Sequence, residues 1–537
     1  MKALLLYPRF PQTFWSYDRF MAMADLKAFI PPLGIITVAA LLPEDWEIRF
    51  YDRNVKEESD ADWEWCDIVI LSAMLAQKPD FLAQIQKAVR LGKKVAVGGP
   101  FPTSVPEAAI KAGAHYLILD EGEVTVPLFL EALAKQEKEA TITNAEEPSI
   151  FRALEKPDVS TSPMPRFDLL ERDNYLMMAI QFSRGCPFNC EFCDIINLYG
   201  RKPRTKEPKQ TLAELQALYD LGWRGSVLVV DDNFIGNQRN VKRLLRELIP
   251  WMEERKYPFT FLTEASVNLA EDAELLELMA QAGFYGVFLG IETPDQDSLK
   301  VTRKLQNMRH PLVEACHRIN EAGLLIYAGF IIGFDGERAG AGERIRAFIE
   351  ETAIPQPMLG VLQALPNTAL WQRLQEEERL LEDFGGVEIG DQNSLMNFKP
   401  SRPMAEIAQE YVKALWEMYE PTNYLRRCFQ QCLNINPNPR LNQTMYFPPG
   451  KGIRLVVQLI WHQGIRRPAI RAQFWQQLWV ILRTKPQFLN MYLGLCAAGE
   501  HFWEYRALAR KRITQQIGFD PIAETAPPER EHVLVEV

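Results

Sequence analysis

Twice along this chain, apolar runs of strand length alternate with amphipathic stretches of helix length, and nothing else in the sequence restricts the fold so strongly. In the first block the strand candidates are residues 3–7, 48–51, 68–72, 95–97 and 116–119, with helical patterns such as 79–91 and 106–112 between them. Successive strand–helix–strand units require right-handed crossovers and therefore a parallel sheet. Turn signals stand where strands should end, at Tyr51-Asp52-Arg53-Asn54 and at Gly98-Gly99-Pro100.

The second block offers strands at 178–182, 226–230, 259–262, 286–289, 325–332 and 358–362, separated by helical runs at 212–221, 241–254, 271–282 and 312–322. Six such units predict a partial (β/α)6 barrel of the TIM type, with its chemistry at the C-terminal strand ends. Residues 183–193, 231–233, Glu264 and Glu292 fall at those ends. The charged, Pro/Ser/Thr-rich stretch between the blocks reads as a linker, and beyond about 400 the pattern becomes helical. The expected layout is an α/β chain with a Rossmann-like domain over 1–140, a linker over 141–170, a barrel over 171–400, an all-α domain over 401–517 and a loosely ordered tail over 518–537. A length of 537 residues matches three to four domains at roughly 150 residues each.

The formal charge of −10 argues against general nucleic-acid binding. No leader-like core opens the chain, and no run of about 18 apolar residues could span a membrane. The expected compartment is the cytoplasm, where thiols stay reduced. There are eight cysteines, three of them crowded into Cys186-Pro187-Phe188-Asn189-Cys190-Glu191-Phe192-Cys193. Three thiolates on one short loop can hold three irons of a cubane cluster and leave the fourth open. A structural zinc loop is the rival reading, but zinc wants a fourth ligand that this loop does not supply. Gly185 permits a tight backbone just before the first cysteine.

The C-x3-C-x2-C spacing, with Phe192 before the last cysteine, resembles the signature of the radical S-adenosylmethionine (SAM) superfamily, and the likeness extends over about 175–400. Asp231-Asp232-Asn233-Phe234 resembles the second-strand motif near the methionine amino group of S-adenosylmethionine (AdoMet). Gly290-Ile291-Glu292-Thr293 resembles the fourth-strand motif near the ribose, and Gly329-Phe330-Ile331-Ile332-Gly333 the fifth-strand motif near the adenine. The resemblance implies a [4Fe–4S] cluster on Cys186, Cys190 and Cys193. It implies AdoMet held near Phe192, Asp231, Asp232, Glu264, Glu292, Gly329 and Gly333. Carboxylates can accept hydrogen bonds from ammonium and hydroxyl groups. Asp231 and Asp232 could equally be helix N-caps.

The first block resembles the cobalamin-binding domain that precedes many radical SAM cores, through Ser72-Ala73-Met74, Gly98-Gly99-Pro100 and Asp120-Glu121-Gly122-Glu123. Ligands of open α/β sheets bind beyond the carboxyl ends of the strands, so Arg9, Ser72, Gly98, Gly99, Pro100 and Gly122 are the expected cobalamin contacts. The cobalt-ligating histidine found after the first strand in some cobalamin folds is missing, and Arg9 or Phe10 would occupy that place. His115 reads as structural. A Rossmann-like domain without ligand is the alternative. A cavity is expected between the Gly98–Gly99 loop and the Cys186–Cys193 loop.

The C-terminal region mixes Trp461, Trp475, Trp479 and Trp503 with arginines, as a core stripe with a basic face or as a peripheral contact with an anionic membrane. It resembles the extra helical domain of a subgroup of cobalamin-binding radical SAM proteins. That subgroup implies C-methylation of an unactivated carbon of a small, apolar polycyclic or tetrapyrrole substrate, with a flavodoxin or ferredoxin as electron donor. A cyclase or oxidative reaction with the same cofactors, or a non-catalytic cobalamin sensor, are the alternatives.

Overall fold

The structure, a computed structural model, describes residues 1–138, 147–153, 155–381, 394–438, 440 and 450–523. Two six-stranded sheets, each wholly parallel, account for the two blocks of alternation. The first comprises β1 (Lys2–Tyr7), β2 (Glu47–Asp52), β3 (Ile68–Ser72), β4 (Lys94–Gly98), β5 (Tyr116–Ile118) and β6 (Ser149–Phe151), in the order β2-β1-β3-β4-β5-β6. Leu4, Leu5 and Leu6 are all buried, as are Val69 to Leu71 and Val95 to Val97. Both faces of these strands are covered by helices, which is why their sequences run continuously apolar instead of alternating.

The sixth strand is a departure from the sequence reading. Ser149–Phe151 pairs with Tyr116–Ile118 inside the stretch expected to be a linker. Its three residues are too few, and too little patterned, to announce a strand. Residues 139–146 and 154 of that stretch lie outside the described residues.

The second sheet follows the order β14-β13-β12-β11-β10-β7, formed by β7 (Met178–Ile180), β10 (Ser226–Val229), β11 (Thr260–Ala265), β12 (Phe284–Glu292), β13 (Leu325–Ile332) and β14 (Gln356–Val361). It is the open six-stranded barrel expected. Between β7 and β10 the antiparallel pair β8 (Ser183–Arg184) and β9 (Arg204–Thr205) brackets the cysteine loop. The less buried positions of β10 (Ser226, Leu228), β11 (Thr260, Glu264), β13 (Tyr327, Ile331) and β14 (Met358, Gly360) share one face of each strand, so the other face packs on helices while this one borders open space.

Helices dominate beyond 400, among them Met404–Met418, Pro421–Asn434, Pro468–Thr484 and the 29-residue Leu489–Ile517. The last is buried in its middle. His501 is fully buried, with Nε2 3.1 Å from the Phe14 carbonyl oxygen, and Phe502 stacks on Phe14 at 4.7 Å. Phe14 to Tyr17 thus run between barrel and helical region. Trp15 donates to Met358 Sδ (3.1 Å), and the Tyr17 hydroxyl donates to Gln356 Oε1 (2.7 Å). One continuous apolar core joins the barrel, the helical region and one face of the first sheet. The start of the expected loose tail is anchored: Asp520 pairs with Arg510, and Ile522 is buried. Residues 524–537 lie outside the described residues.

Candidate functional site

Gly185 opens the cysteine loop with φ +92°, and a Cβ there would lie 2.8 Å from the Gly200 carbonyl oxygen. Glycine is therefore required at this position. The loop is held from three sides. Arg184 donates to Glu121 (2.8 Å) and Glu123 (2.8 Å), and Arg204 reaches Glu121 (2.7 Å), tying the loop's root to the first domain through buried groups. Glu191, between two of the cysteines, pairs with Arg373 at 2.9 Å. Asp232 accepts from the Gly185 N–H at 3.2 Å. Burial favours protonation of Glu123, but the Arg184 donors outweigh it and hold the carboxyl at about 2.

All three cysteines are unbridged, with Cys190 buried and Cys186 and Cys193 half-buried. Side-chain amides reach two of them. Asn233 Nδ2 lies 3.7 Å from Cys186 Sγ, and Gln306 Nε2 lies 3.7 Å from Cys190 Sγ. Burial raises the Cys186 and Cys193 thiols, while Lys304 acts in the opposite sense on both. Among the described residues no three His, Cys, Asp or Glu side chains are gathered closely enough to hold a single metal ion, as a zinc loop would need. A cubane, with a thiolate on each of three separate irons, wants its ligands further apart.

The four expected carboxylates have four different surroundings. Asp231 is fully committed: Oδ1 accepts from the Phe182 N–H (2.8 Å), and Oδ2 from the Ser183 N–H (2.8 Å) and hydroxyl (2.6 Å). It fixes the approach to the cysteine loop and caps no helix. Asp232 touches the loop through Gly185 only, and burial pushes it up to about 7. Glu292, at φ +64° on the last residue of β12, folds back over Gly290 onto Lys304. A Cβ on Gly290 would stand 2.6 Å from Glu292 Oε1, so the glycine makes room for that pair. Glu264 has no hydrogen-bond or ion-pair partner among the described residues. Its side chain is exposed in the cavity described below, and the surrounding protein, then the charges of Asp232 and Asp231, push it up to about 8. Asp231, Asp232 and Glu264 form an acidic group, and among the described residues no Lys or Arg pairs with Asp232 or Glu264, a setting that calls for a cationic ligand.

Gly329 and Gly333 do not face open space. A Cβ on Gly329 would come within 3.0 Å of the Phe288 ring, and one on Gly333 would collide with the Met396 methyl group. Phe192 packs at 5.8 Å from Phe334, with Lys304 above its ring.

The cavity has a volume of about 990 Å³. Its upper wall is made by the ends of the first three strands, through Arg9, Phe10, Asn54, Lys56 and Met74. Its lower part enters the barrel between Leu228, Leu262, Phe288 and Leu325, and is closed on one side by Phe488, Met491 and Leu495. At the bottom, Ser226, Thr260, Tyr285 and Tyr327 form a hydroxyl floor, with Ser226 Oγ and Thr260 Oγ1 2.9 Å apart. From Glu264 to Thr260 is four residues of one strand, or about 13 Å.

This is not the cavity expected from the sequence. Of the proposed cobalamin contacts only Arg9 lines it, and it turns its guanidinium to Glu57 and to the Arg53 carbonyl. Ser72, Gly98, Gly99 and Pro100 meet at the ends of β3 and β4, outside the wall. A Cβ on Gly99 would lie 2.5 Å from Ser72 Oγ, one on Gly98 2.8 Å from the Ile118 carbonyl, and one on Gly122 3.3 Å from Val38. Close packing accounts for all three glycines. His115 is structural, as expected: its Nδ1 accepts from the Val95 N–H. Lys304, Gln306, Arg184 and Trp15 were not singled out by the sequence reading. Twelve residues separate Lys304 from its partner Glu292, and Gln306 comes from another loop than the cysteine it meets, so no local spacing marks either.

Comparison with known proteins agrees with this architecture. Residues 180–349 match the radical SAM superfamily, 21–130 a B12 binding domain, and 368–515 a domain of unknown function. An uncharacterised methyltransferase of Synechocystis sp. is 53% identical over 517 residues, covering 96% of this chain and 94% of that protein. The hopanoid C-2 methylase of Rhodopseudomonas palustris is 34% identical over 482 residues, 88% of each chain. Among solved structures, the cobalamin-dependent radical enzyme OxsB matches 97% of this chain and 84% of its own with a TM-score of 0.59 at 15% identity. TsrM from Kitasatospora setae matches 94% and 99% with a TM-score of 0.57 at 16% identity. The fold and the cysteine loop define a radical SAM enzyme joined to a cobalamin-binding domain. The chain belongs to the cobalamin-binding radical SAM methyltransferase family.

Proposed function

We propose that this enzyme methylates an unactivated carbon of an apolar polycyclic lipid of the hopanoid kind, seated in the hollow of the barrel. The observation that carries this reading is the cavity: aliphatic and aromatic walls, a hydroxyl floor without a cation, and Glu264 near its upper end. Such a site suits a long, uncharged molecule whose single polar group rests on Ser226, Thr260, Tyr285 and Tyr327.

The residues fit the expected cofactors. Cys186, Cys190 and Cys193 would hold the [4Fe–4S] cluster, with Asn233 and Gln306 donating to two of the sulfurs. The unpartnered carboxylate of Glu264, with Asp232, would receive the cationic part of AdoMet. The ends of β1 to β3 above the cavity would carry cobalamin. When bound, these groups supply radical hydrogen abstraction and a methyl group. Protein residues keep the reacting carbon near the Glu264 end, because the floor fixes the opposite end of the molecule. Phe288, Leu228 and Leu262 exclude water from the path between them. Electrons would come from a small low-potential donor such as a flavodoxin or ferredoxin.

The test is anaerobic turnover of the reconstituted enzyme with methyl-labelled AdoMet and a pentacyclic hopanoid. One labelled methyl group gained by the lipid is the expected result. A product of unchanged carbon number, with 5′-deoxyadenosine formed, would assign the enzyme to the cyclising or oxidising alternative.

A further inference from the structure

The segment 451–485 contains seven Lys and Arg residues and no Asp or Glu, in a chain whose net charge is −10. It folds into the helix Lys451–Leu459, a π-helical stretch Ile460–Arg466 and the helix Pro468–Thr484. Ile453, Val457, Trp461 and Ile465 recur every four residues and are all exposed, Ile453 by 73% and Trp461 by 50%. Spacing by four keeps side chains on one side of a helix, and the wider i→i+5 turn near its end holds Trp461 and Ile465 in line. On the neighbouring helix Trp475, Trp479 and Leu482 are exposed in the same way, Trp479 by 54%. The two helices are joined where Trp475 Nε1 donates to the Gly464 carbonyl at 2.9 Å.

Large apolar side chains gathered in this number on one short segment mark an interaction surface. The cations nearby decide its partner. Arg466, Arg471 and Arg483 are exposed and have no acidic partner among the described residues; Arg483 lies over the Trp479 ring at 4.0 Å. Tryptophan beside unpaired arginine suits the boundary between acyl chains and anionic headgroups. No helix of the described residues is long and apolar enough to cross a membrane.

We propose that this helical pair docks peripherally on an anionic phospholipid bilayer. Its position gives the docking a use. Past Leu482 and Arg483 the chain enters the cavity wall within five residues, at Gln487 and Phe488. The surface therefore adjoins a large apolar chamber, and the docked enzyme presents that side of the chamber to the bilayer. The proposal does not depend on which molecule the chamber accepts.

Flotation of the full-length reconstituted protein tests it. One set of vesicles is pure phosphatidylcholine, and the other is phosphatidylcholine mixed with phosphatidylglycerol. The wild type should float with the mixed vesicles, stay behind with the neutral ones, and be released by high salt. W461E/W479E and R466E/R471E/R483E, checked for native circular dichroism and iron content, should each lower partitioning by about tenfold or more. A wild type that ignores the mixed vesicles, or variants that float as it does, would overturn the proposal. So would a wild-type dimer that W461E/W479E dissolves while neither floats, since a second copy would then own this face.

Discussion

The two parallel sheets arise from the same alternation of strand and helix, yet one is solid and the other encloses a chamber. In the first, β1 and β3 carry leucine, isoleucine or valine on both faces, β4 carries valine on one face and Ala96 on the other, and helices cover both. In the second, the inward positions are Ser226, Leu228, Thr260, Leu262, Glu264, Tyr285 and Tyr327, and no described residues fill the space between them. Chain topology sets the order of the strands, but the residues on the inward face decide whether a sheet becomes a core or a container. A strand with hydroxyl groups on its inner face cannot be sealed by apolar packing without stranding those groups.

The sharpest contrast lies at the strand ends. Replacing Cys190 with Ala should reduce bound iron and 5′-deoxyadenosine formation to background, measured by iron analysis and product chromatography. Ser72→Ala, at the matching edge of the first sheet, should leave both near wild type. A similar loss from both would place the cluster's support in the wrong domain.

Next comes packing. Leu5 is fully buried in the solid sheet, and Leu5→Ala should cost about 2–5 kcal/mol in denaturant unfolding. Leu228 faces the chamber, and Leu228→Ala should cost clearly less, because it leaves no new enclosed void. Equal losses would mean that the chamber is closed in solution.

A smaller effect is expected at the cluster. Gln306→Leu removes an N–H donor from Cys190 and should lower the reduction potential by on the order of tens of millivolts in a redox titration, since such donors stabilise the more negative, reduced cluster. An unchanged potential would make Gln306 a packing residue only.

The smallest effect concerns pH. The Glu264 carboxyl is raised to about 8, so between its ordinary range near 4.5 and about 8 the folded protein holds a proton that the unfolded chain has lost. The stability of cluster-free protein should therefore fall as pH rises through that window and level off above it. Glu264→Gln should flatten the slope of melting temperature against pH. Asp52, at the end of β2 in the first sheet, is also raised by burial but accepts hydrogen bonds from Asn54 and Tyr175, so a shallower slope of the same sign is expected from that domain.

The positions of most strands, the cysteine loop and the fit of Gly185 are legible in the sequence, because each is written in local periodicity or spacing; the order of the strands is not. The roles of Asp231 and Glu264 were not separable, since both are carboxylates at strand ends. Only the fold shows that Phe182 and Ser183 saturate one and that the other has no partner among the described residues. At Gly98, Gly99, Gly122, Gly329 and Gly333, expected as ligand contacts, a Cβ would meet neighbouring protein atoms, which explains the glycine without deciding what its backbone touches. A glycine signals close approach without saying of what. Lys304, Gln306 and Arg184 act across long sequence separations, and the hollow of the barrel is a property of five strands together.

We propose above that this hollow receives the molecule to be methylated. Leu228→Trp fills it from the wall while leaving the cysteine loop untouched, so wild type and variant can be turned over side by side with methyl-labelled AdoMet and a pentacyclic hopanoid, recording 5′-deoxyadenosine and labelled lipid together. If the hollow is the substrate site, the wild type forms both products and a folded, iron-loaded variant forms 5′-deoxyadenosine without labelled lipid. Methylation by Leu228→Trp at the wild-type rate would place the substrate elsewhere.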